Sequence, residues 1–200
     1  MGLQWSLSED ADTRQRKLTV DEVFAMVEAG IIGPDERLEL IDGVLVEMSP
    51  KNIRHERYKI GLSNWLIRKL PEDYSVAVET TLRLSETEFV EPDIVICPAS
   101  ASARGLTSAD CRLVIEVADS SVSYDTGDKA QIYARWEIEE LWVLNARSGE
   151  VTLHRRPDGN RFGEILSYPF DTTLDPLFAP GLAVNIAGIV GPPDPSEERT

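Results

Sequence analysis

The chain is poor in several things at once. Its two cysteines, Cys97 and Cys111, are too few for a disulfide framework and lack zinc-ligand spacing, so both are expected as reduced thiols. With two histidines there is no convincing Cys–His pair, and there is no Gly-x-Ser-x-Gly elbow and no phosphate-cradling glycine loop. No apolar run approaches the roughly 18–20 residues of a membrane span. The start, Met1-Gly2-Leu3-Gln4-Trp5-Ser6, is followed by acids rather than a signal peptide's apolar stretch, so a cytoplasmic protein without a membrane partner is expected. Those residues fit a loose myristoylation pattern, but Glu9, Asp10 and Asp12 have the wrong sign for a second anchoring signal. Positive charge is scarce: 20 Lys and Arg face 35 Asp and Glu, a formal net charge of -15. That balance speaks against a protein that coats nucleic acid by neutralising phosphates. Aromatics at 7% are too few to line a sugar cleft, which disfavours a glycosidase reading of paired carboxylates.

What is present is 42% hydrophobic and 28% charged residues in a chain of 200, enough for one globular domain with a sizeable core and no internal repeats. A flexible arm is expected over 1–18, the domain over 19–188 and a disordered Pro-rich tail over 189–200. Thr19-Val20-Asp21-Glu22 is a capping box that opens a helix stopped by Gly30. Residues 37–48 read as two short strands around Asp42-Gly43, which places Glu39 and Glu47 on strands. A helix over 52–70 gathers Tyr58, Leu62, Trp65 and Leu66 on one side, with His55 in the middle of that side and Arg54, Arg57 and Arg68 on another. Strands are expected over 75–84, 90–97 and 112–117, the last two apolar enough to be covered on both faces. A helix over 125–137 and strands over 140–145, 151–155 and 162–168 complete an α/β (α+β) chain, a mixed sheet flanked by helices.

Acids interrupt the apolar strands, in Glu91-Pro92-Asp93-Ile94-Val95-Ile96 and in Leu113-Val114-Ile115-Glu116-Val117. Burying one ionised carboxylate costs several kcal/mol even after relaxation, so Asp93 and Glu116 need a cation or raised pKa values. With Lys129 they suit metal-assisted phosphodiester hydrolysis, in which hard oxygens hold magnesium and a lysine orients or activates water. Plainer roles stand beside this one. Asp93 could end a turn, Glu116 could form a buried pair with Lys129, and Asp125 could cap the helix. His55 could be a satisfied boundary histidine, Glu39 a cross-strand partner of Arg37 or Lys51, and the arginines a solvated face. Between Lys51 and Leu70, however, Lys51, Arg54, Arg57, Lys59, Arg68 and Lys69 face one acid, Glu56, and a phosphate backbone could rest there.

The ordered set Glu39-Leu40-Ile41-Asp42-Gly43, Met48-Ser49-Pro50 with His55, Pro92-Asp93, Glu116-Val117, Asp125 to Lys129 with Tyr133, and Leu141-Trp142 resembles the Uma-type restriction endonuclease family of the PD-(D/E)XK nuclease superfamily. The resemblance covers residues 19–170. It implies a restriction endonuclease-like fold and hydrolysis of DNA that depends on Mg2+, with Mn2+ as a substitute. It further implies Asp93, Glu116 and the Val117 carbonyl as metal ligands, Glu39 as an accessory acid and His55 near the site. The superfamily's usual lysine position, two after the second acid, holds Ala118, so that role passes to Lys129 on the following helix. The family's Ser-Pro-Ser-like turn is replaced by Ala118-Asp119-Ser120-Ser121, and Asp119 adds an acid to the rim. Cutting both strands of a duplex is most simply done by a homodimer. The competing expectation is a catalytically silent nuclease-fold domain serving as a protein-binding subunit, favoured by the acidic charge and opposed by the intact Asp93, Glu116 and Lys129.

Overall fold

In the computed structural model the described residues are 15–33, 35–101, 105–119 and 126–193. Most of the expected arm, the end of the expected tail, and Asp125 lie outside them. The capping box opens the first helix, α1 (Val20–Glu28), as read from the sequence: Thr19 N donates to Glu22 Oε2 at 3.0 Å and Glu22 N to Thr19 Oγ1 at 3.2 Å. The hairpin follows, β1 (Leu38–Ile41) and β2 (Val44–Glu47), turned by Asp42 and Gly43 at φ 49° and 75°. Positive φ at both central residues is what an Asp-Gly turn of this hand requires. Helix α2 (Ile53–Lys69) starts at Asn52, whose side chain accepts from His55 N at 3.0 Å.

Six strands then precede the next long helix: β3 (Tyr74–Val78), β4 (Leu82–Arg83), β5 (Phe89–Val90), β6 (Ile94–Pro98), β7 (Leu106–Thr107) and β8 (Leu113–Ala118). After α3 (Asp128–Arg135) come β9 (Glu140–Asn145), β10 (Glu150–Asp158), β11 (Arg161–Pro169), β12 (Thr173–Leu174), β13 (Val184–Asn185) and α4 (Ile186–Val190). The tail therefore does not begin at 189: Ile189 and Val190 belong to α4 and pack on the core. The main sheet has six strands in the order β11-β10-β9-β8-β6-β3 and is antiparallel except for the β8–β9 pair, which α3 connects. A second sheet runs β2-β1-β5-β4-β7.

Two expected strands are each divided between these sheets. The stretch 75–84 breaks at Glu79, at φ 47°, into β3 and β4. The chain from 89 to 98 breaks at Glu91-Pro92-Asp93 into β5 and β6, where Pro92 has no N–H to offer a ladder. The pairing of Val78 with Ile94 sets the two crossings side by side, and Glu79 N donates to Asp93 O at 3.2 Å. Alternation along β6 sends Ile94 and Ile96 into a core with Tyr58, Leu62 and Leu66 of α2, and Val95 and Cys97 into another with Ile132 and Tyr133 of α3. The main sheet is thus covered on both faces, as its apolar runs require.

Candidate active site

The sheet crossing puts the two expected acids together. Ile94 pairs with Ile115, so Asp93 N donates to Glu116 Oε2 at 3.3 Å while Val117 N donates to Asp93 Oδ2 at 2.8 Å. Each acid thereby accepts a backbone N–H beside the other. From α3, Lys129 Nζ reaches Glu116 Oε1 at 2.8 Å, and Tyr133, one turn on, donates its hydroxyl to the same oxygen at 2.5 Å. Lys129 Nζ also lies 2.9 Å from Glu39 Oε1, which accepts Glu91 N at 3.0 Å. Glu39 is fully buried, yet its Oε2 has no hydrogen-bond partner among the described residues.

The far side of Asp93 faces Lys51 and His55. Lys51 Nζ is 2.5 Å from Asp93 Oδ1 and His55 Nε2 is 3.0 Å from Oδ2. Lys51 also pairs with Glu79, which Lys59 contacts at 2.9 Å; Lys59 in turn holds Glu56 at 2.6 Å. Burial alone would push the Asp93 carboxyl up, but the His55 hydrogen bond and charge, with the Lys51 ammonium, outweigh it and hold Asp93 well below the usual carboxylate range. Glu91 moves the other way, raised by burial and then by the Glu39 charge. Glu79 is lowered because Lys51 and Lys59 outweigh its partial burial, and Lys59 is raised because Glu56 and Glu79 outweigh its own.

Glu39, His55, Asp93, Glu116 and Lys129 are therefore brought into one contiguous, buried network. His55 does not rest on apolar neighbours alone; it faces Asp93. Glu39 pairs with neither Arg37 nor Lys51: Arg37 donates to Ser49 O at 2.8 Å and Lys51 belongs to Asp93. The arginines of α2 part company. Arg54 is buried against Asp119 at 2.9 Å. Arg57 donates to Val190 O at 3.4 Å and Pro192 O at 2.6 Å, with its guanidinium 5.1 Å from the Tyr58 ring centre. Arg68 is exposed in the last turn. Asp119 is no rim acid: buried, it binds Asn52, Arg54 and, at 3.0 Å, Arg147, and these bonds outweigh desolvation and hold its carboxyl low.

Sequence reasoning named Glu91 among the strand acids, Lys51 in the basic stretch and Tyr133 in the family motif without giving them these partners, and it missed Glu79. The i,i+4 spacing of Tyr133 from Lys129 was an available signal, whereas Lys51 and Glu79 meet only because the chain changes sheets between β3 and β4. Among the described residues no three acidic, histidine or cysteine side chains converge in ligand geometry, and the Lys51 and Lys129 ammonium groups lie against the carboxylates. The donor chemistry nonetheless fits a hard divalent cation. The oxygens are carboxylate, Asp93 Oδ1 carries Lys51 as its one partner among the described residues, and Glu39 Oε2 is buried with no hydrogen-bond partner among them. No described helix is long and apolar enough to cross a membrane.

Comparison with known proteins bears on the fold and the family. The Uma2 family model, described as "Putative restriction endonuclease", matches residues 20–187. The crystal structure of a putative nuclease of the DUF820 group from Anabaena variabilis superimposes with a TM-score of 0.67 at 16% identity, covering 86% of this chain and 97% of that one. No curated protein matches. The likeness establishes a nuclease-like mixed α+β fold in a single domain, and the family match over most of the chain establishes its kinship: this chain belongs to the Uma2 family.

Proposed function

We propose that the protein is a Mg2+-dependent endonuclease, with Mn2+ able to replace Mg2+, that hydrolyses DNA phosphodiester bonds as a cytoplasmic homodimer. The observation that carries this reading is the latch between Asp93 and Glu116, two buried carboxylates exchanging backbone hydrogen bonds with Lys129 on the second of them. Asp93, Glu116 and the Val117 carbonyl would hold the metal, with Glu39 Oε2 as the accessory oxygen. A divalent cation supplies acidification of a water and compensation of charge at the scissile phosphate. The chain's own groups do the rest. Tyr133 and Lys129 fix the Glu116 carboxylate, and Val117 N–H and His55 fix Asp93. The Lys129 ammonium, buried and already oriented, opposes charge growing on the phosphate without reorganising. Of the three α2 arginines, exposed Arg68 would meet a phosphate backbone without breaking a bond described above, whereas Arg54 and Arg57 would first have to leave Asp119 and the carbonyls near Pro192.

One observation favours the silent-domain alternative: the carboxylates already have cationic partners within the chain. Nicking of supercoiled plasmid in Mg2+ and in Mn2+ separates the two. The nuclease reading expects metal-dependent cleavage that falls about 10²-fold or more in Glu116→Gln and in Lys129→Met, with circular dichroism unchanged. A well-folded wild type that leaves the plasmid intact would turn the reading toward a protein-binding subunit.

A further inference from the structure

The network around Asp93 contains a group with no part in the chemistry just described. We propose that Lys51 is a resident counter-ion of the metal site, which a divalent cation must displace onto Glu79 before Asp93 can ligate it. The inference rests on the metal reading above and adds a control element to it.

Asp93 Oδ2 is committed, to Val117 N at 2.8 Å and His55 Nε2 at 3.0 Å. Oδ1 is the oxygen turned toward any further cation, and Lys51 Nζ stands on it at 2.5 Å. An ammonium and a divalent ion cannot share that oxygen without strong like-charge repulsion, so binding one displaces the other. The displaced group has a destination. Glu79 already touches Lys51, and its side chain is 40% exposed against 5% for Asp93 and 13% for Lys51, so the ammonium moves outward along a gradient of exposure. Glu79 is held in reach by its own backbone, at φ 47° with its N–H on Asp93 O.

The displacement need not leave Glu79 oversupplied with cations. Lys59, its second partner, has Glu56 at 2.6 Å as another anion. Asp93, Lys51, Glu79, Lys59 and Glu56 form a chain of alternating charge, in which an inward divalent ion shifts each pairing one place outward. Before loading, Lys51 stabilises the buried Asp93 carboxylate; after loading, it is held off by Glu79. The consequence is a metal affinity set below what the oxygens alone would give.

The test is isothermal titration of Mn2+ into full-length wild type, Lys51→Met, Glu79→Gln and the double variant, with the rise in Tm at saturating Mn2+ as a second readout that needs no activity. Lys51→Met is expected to bind Mn2+ at least tenfold more tightly. Glu79→Gln, at a partly exposed position and with its fold checked by circular dichroism, is expected to bind more weakly. Because Glu79 acts through Lys51, its effect should vanish in the Lys51→Met background, a coupling that simple charge removal does not produce. If wild type binds Mn2+ and Lys51→Met binds it no more tightly, or if the Glu79 effect persists in the double variant, the counter-ion role is overturned while the metal site stands. If none of the four proteins binds Mn2+, the site reading and this inference fall together.

Discussion

His154 is the opposite of His55. Both are buried, but His55 has Asp93, whereas neither ring nitrogen of His154 has a hydrogen-bond partner among the described residues and its ring lies 5.4 Å from that of Phe162. Burial pushes its pKa from 6.5 down to about 4, so the folded protein holds the neutral ring. The unfolded chain binds this proton near 6.5 and the folded chain only near 4, so the unfolded state gains protons as the pH drops between those values. The stability contributed by the neutral ring is intact above about 6.5, erodes as the pH falls, and is lost by about 4. At ~1.4 kcal/mol per pH unit the full effect is roughly 3 kcal/mol. His154→Leu should therefore flatten the pH dependence of Tm between neutral pH and about pH 5, measured by calorimetry against wild type; an unchanged profile would show that His154 finds a proton-accepting partner in solution. At this scale the sequence was legible where an ion broke an apolar run. Glu116 between Ile115 and Val117 announced itself, and Lys129 followed from the resemblance. Lys51 and Glu79 did not, because their partnership with Asp93 is set by chain crossings rather than by local pattern.

The hairpin of β1 and β2 carries Glu39 to the site, and its turn admits few residues. Gly43 has φ 75°, and a Cβ there would run into the Lys17 side chain. Leu18 N also donates to Gly43 O at 2.9 Å, so the segment entering α1 is pinned to the same turn. A left-handed conformation costs a non-glycine residue on the order of 1–2 kcal/mol, before Lys17 is displaced. Gly43→Ala should lower Tm by roughly 3–8 °C in a domain of this size, read by calorimetry, and should weaken Mn2+ binding if Glu39 shifts with the hairpin. Asp42-Gly43, the Thr19 box and the long α2 were all readable as elements because each depends on neighbours in sequence. The divided strands were not. Apolar runs over 75–84 and 90–97 look continuous to periodicity, and only the positive φ of Glu79 and the missing donor of Pro92 reveal that each serves two sheets. Those breaks build the site, which is why it was only half visible: its acids were readable, their surroundings were not.

A net charge of -15 sets the terms for the whole molecule, since copies of so acidic a protein repel unless a specific surface brings them together. The outer face of α2 offers one. Ile53, Ile60 and Ile67 are 72%, 54% and 60% exposed, and their seven-residue spacing sets them in a row, two turns apart, along one line of the helix. A lone exposed isoleucine is ordinary, whereas an aligned set is where a contact surface is expected. A second copy packed antiparallel about Ile60 would set Ile53 against Ile67, so that the row meets its own copy along its whole length. The homodimer proposed above is expected to close through α2, with two equivalent contacts about one two-fold axis. Ile60→Asp puts a carboxylate at the centre of that axis, facing its own copy. Light scattering after size exclusion should show the wild type at twice the chain mass of 22.3 kDa and the variant at the chain mass, with unchanged circular dichroism because Ile60 lies outside the core. In the plasmid assay the variant should still nick one strand but convert nicked circles to linear DNA far more slowly than wild type. A variant that stays dimeric would place the two-fold axis elsewhere, and a monomeric wild type that still linearises plasmid would mean that one chain cuts both strands in turn.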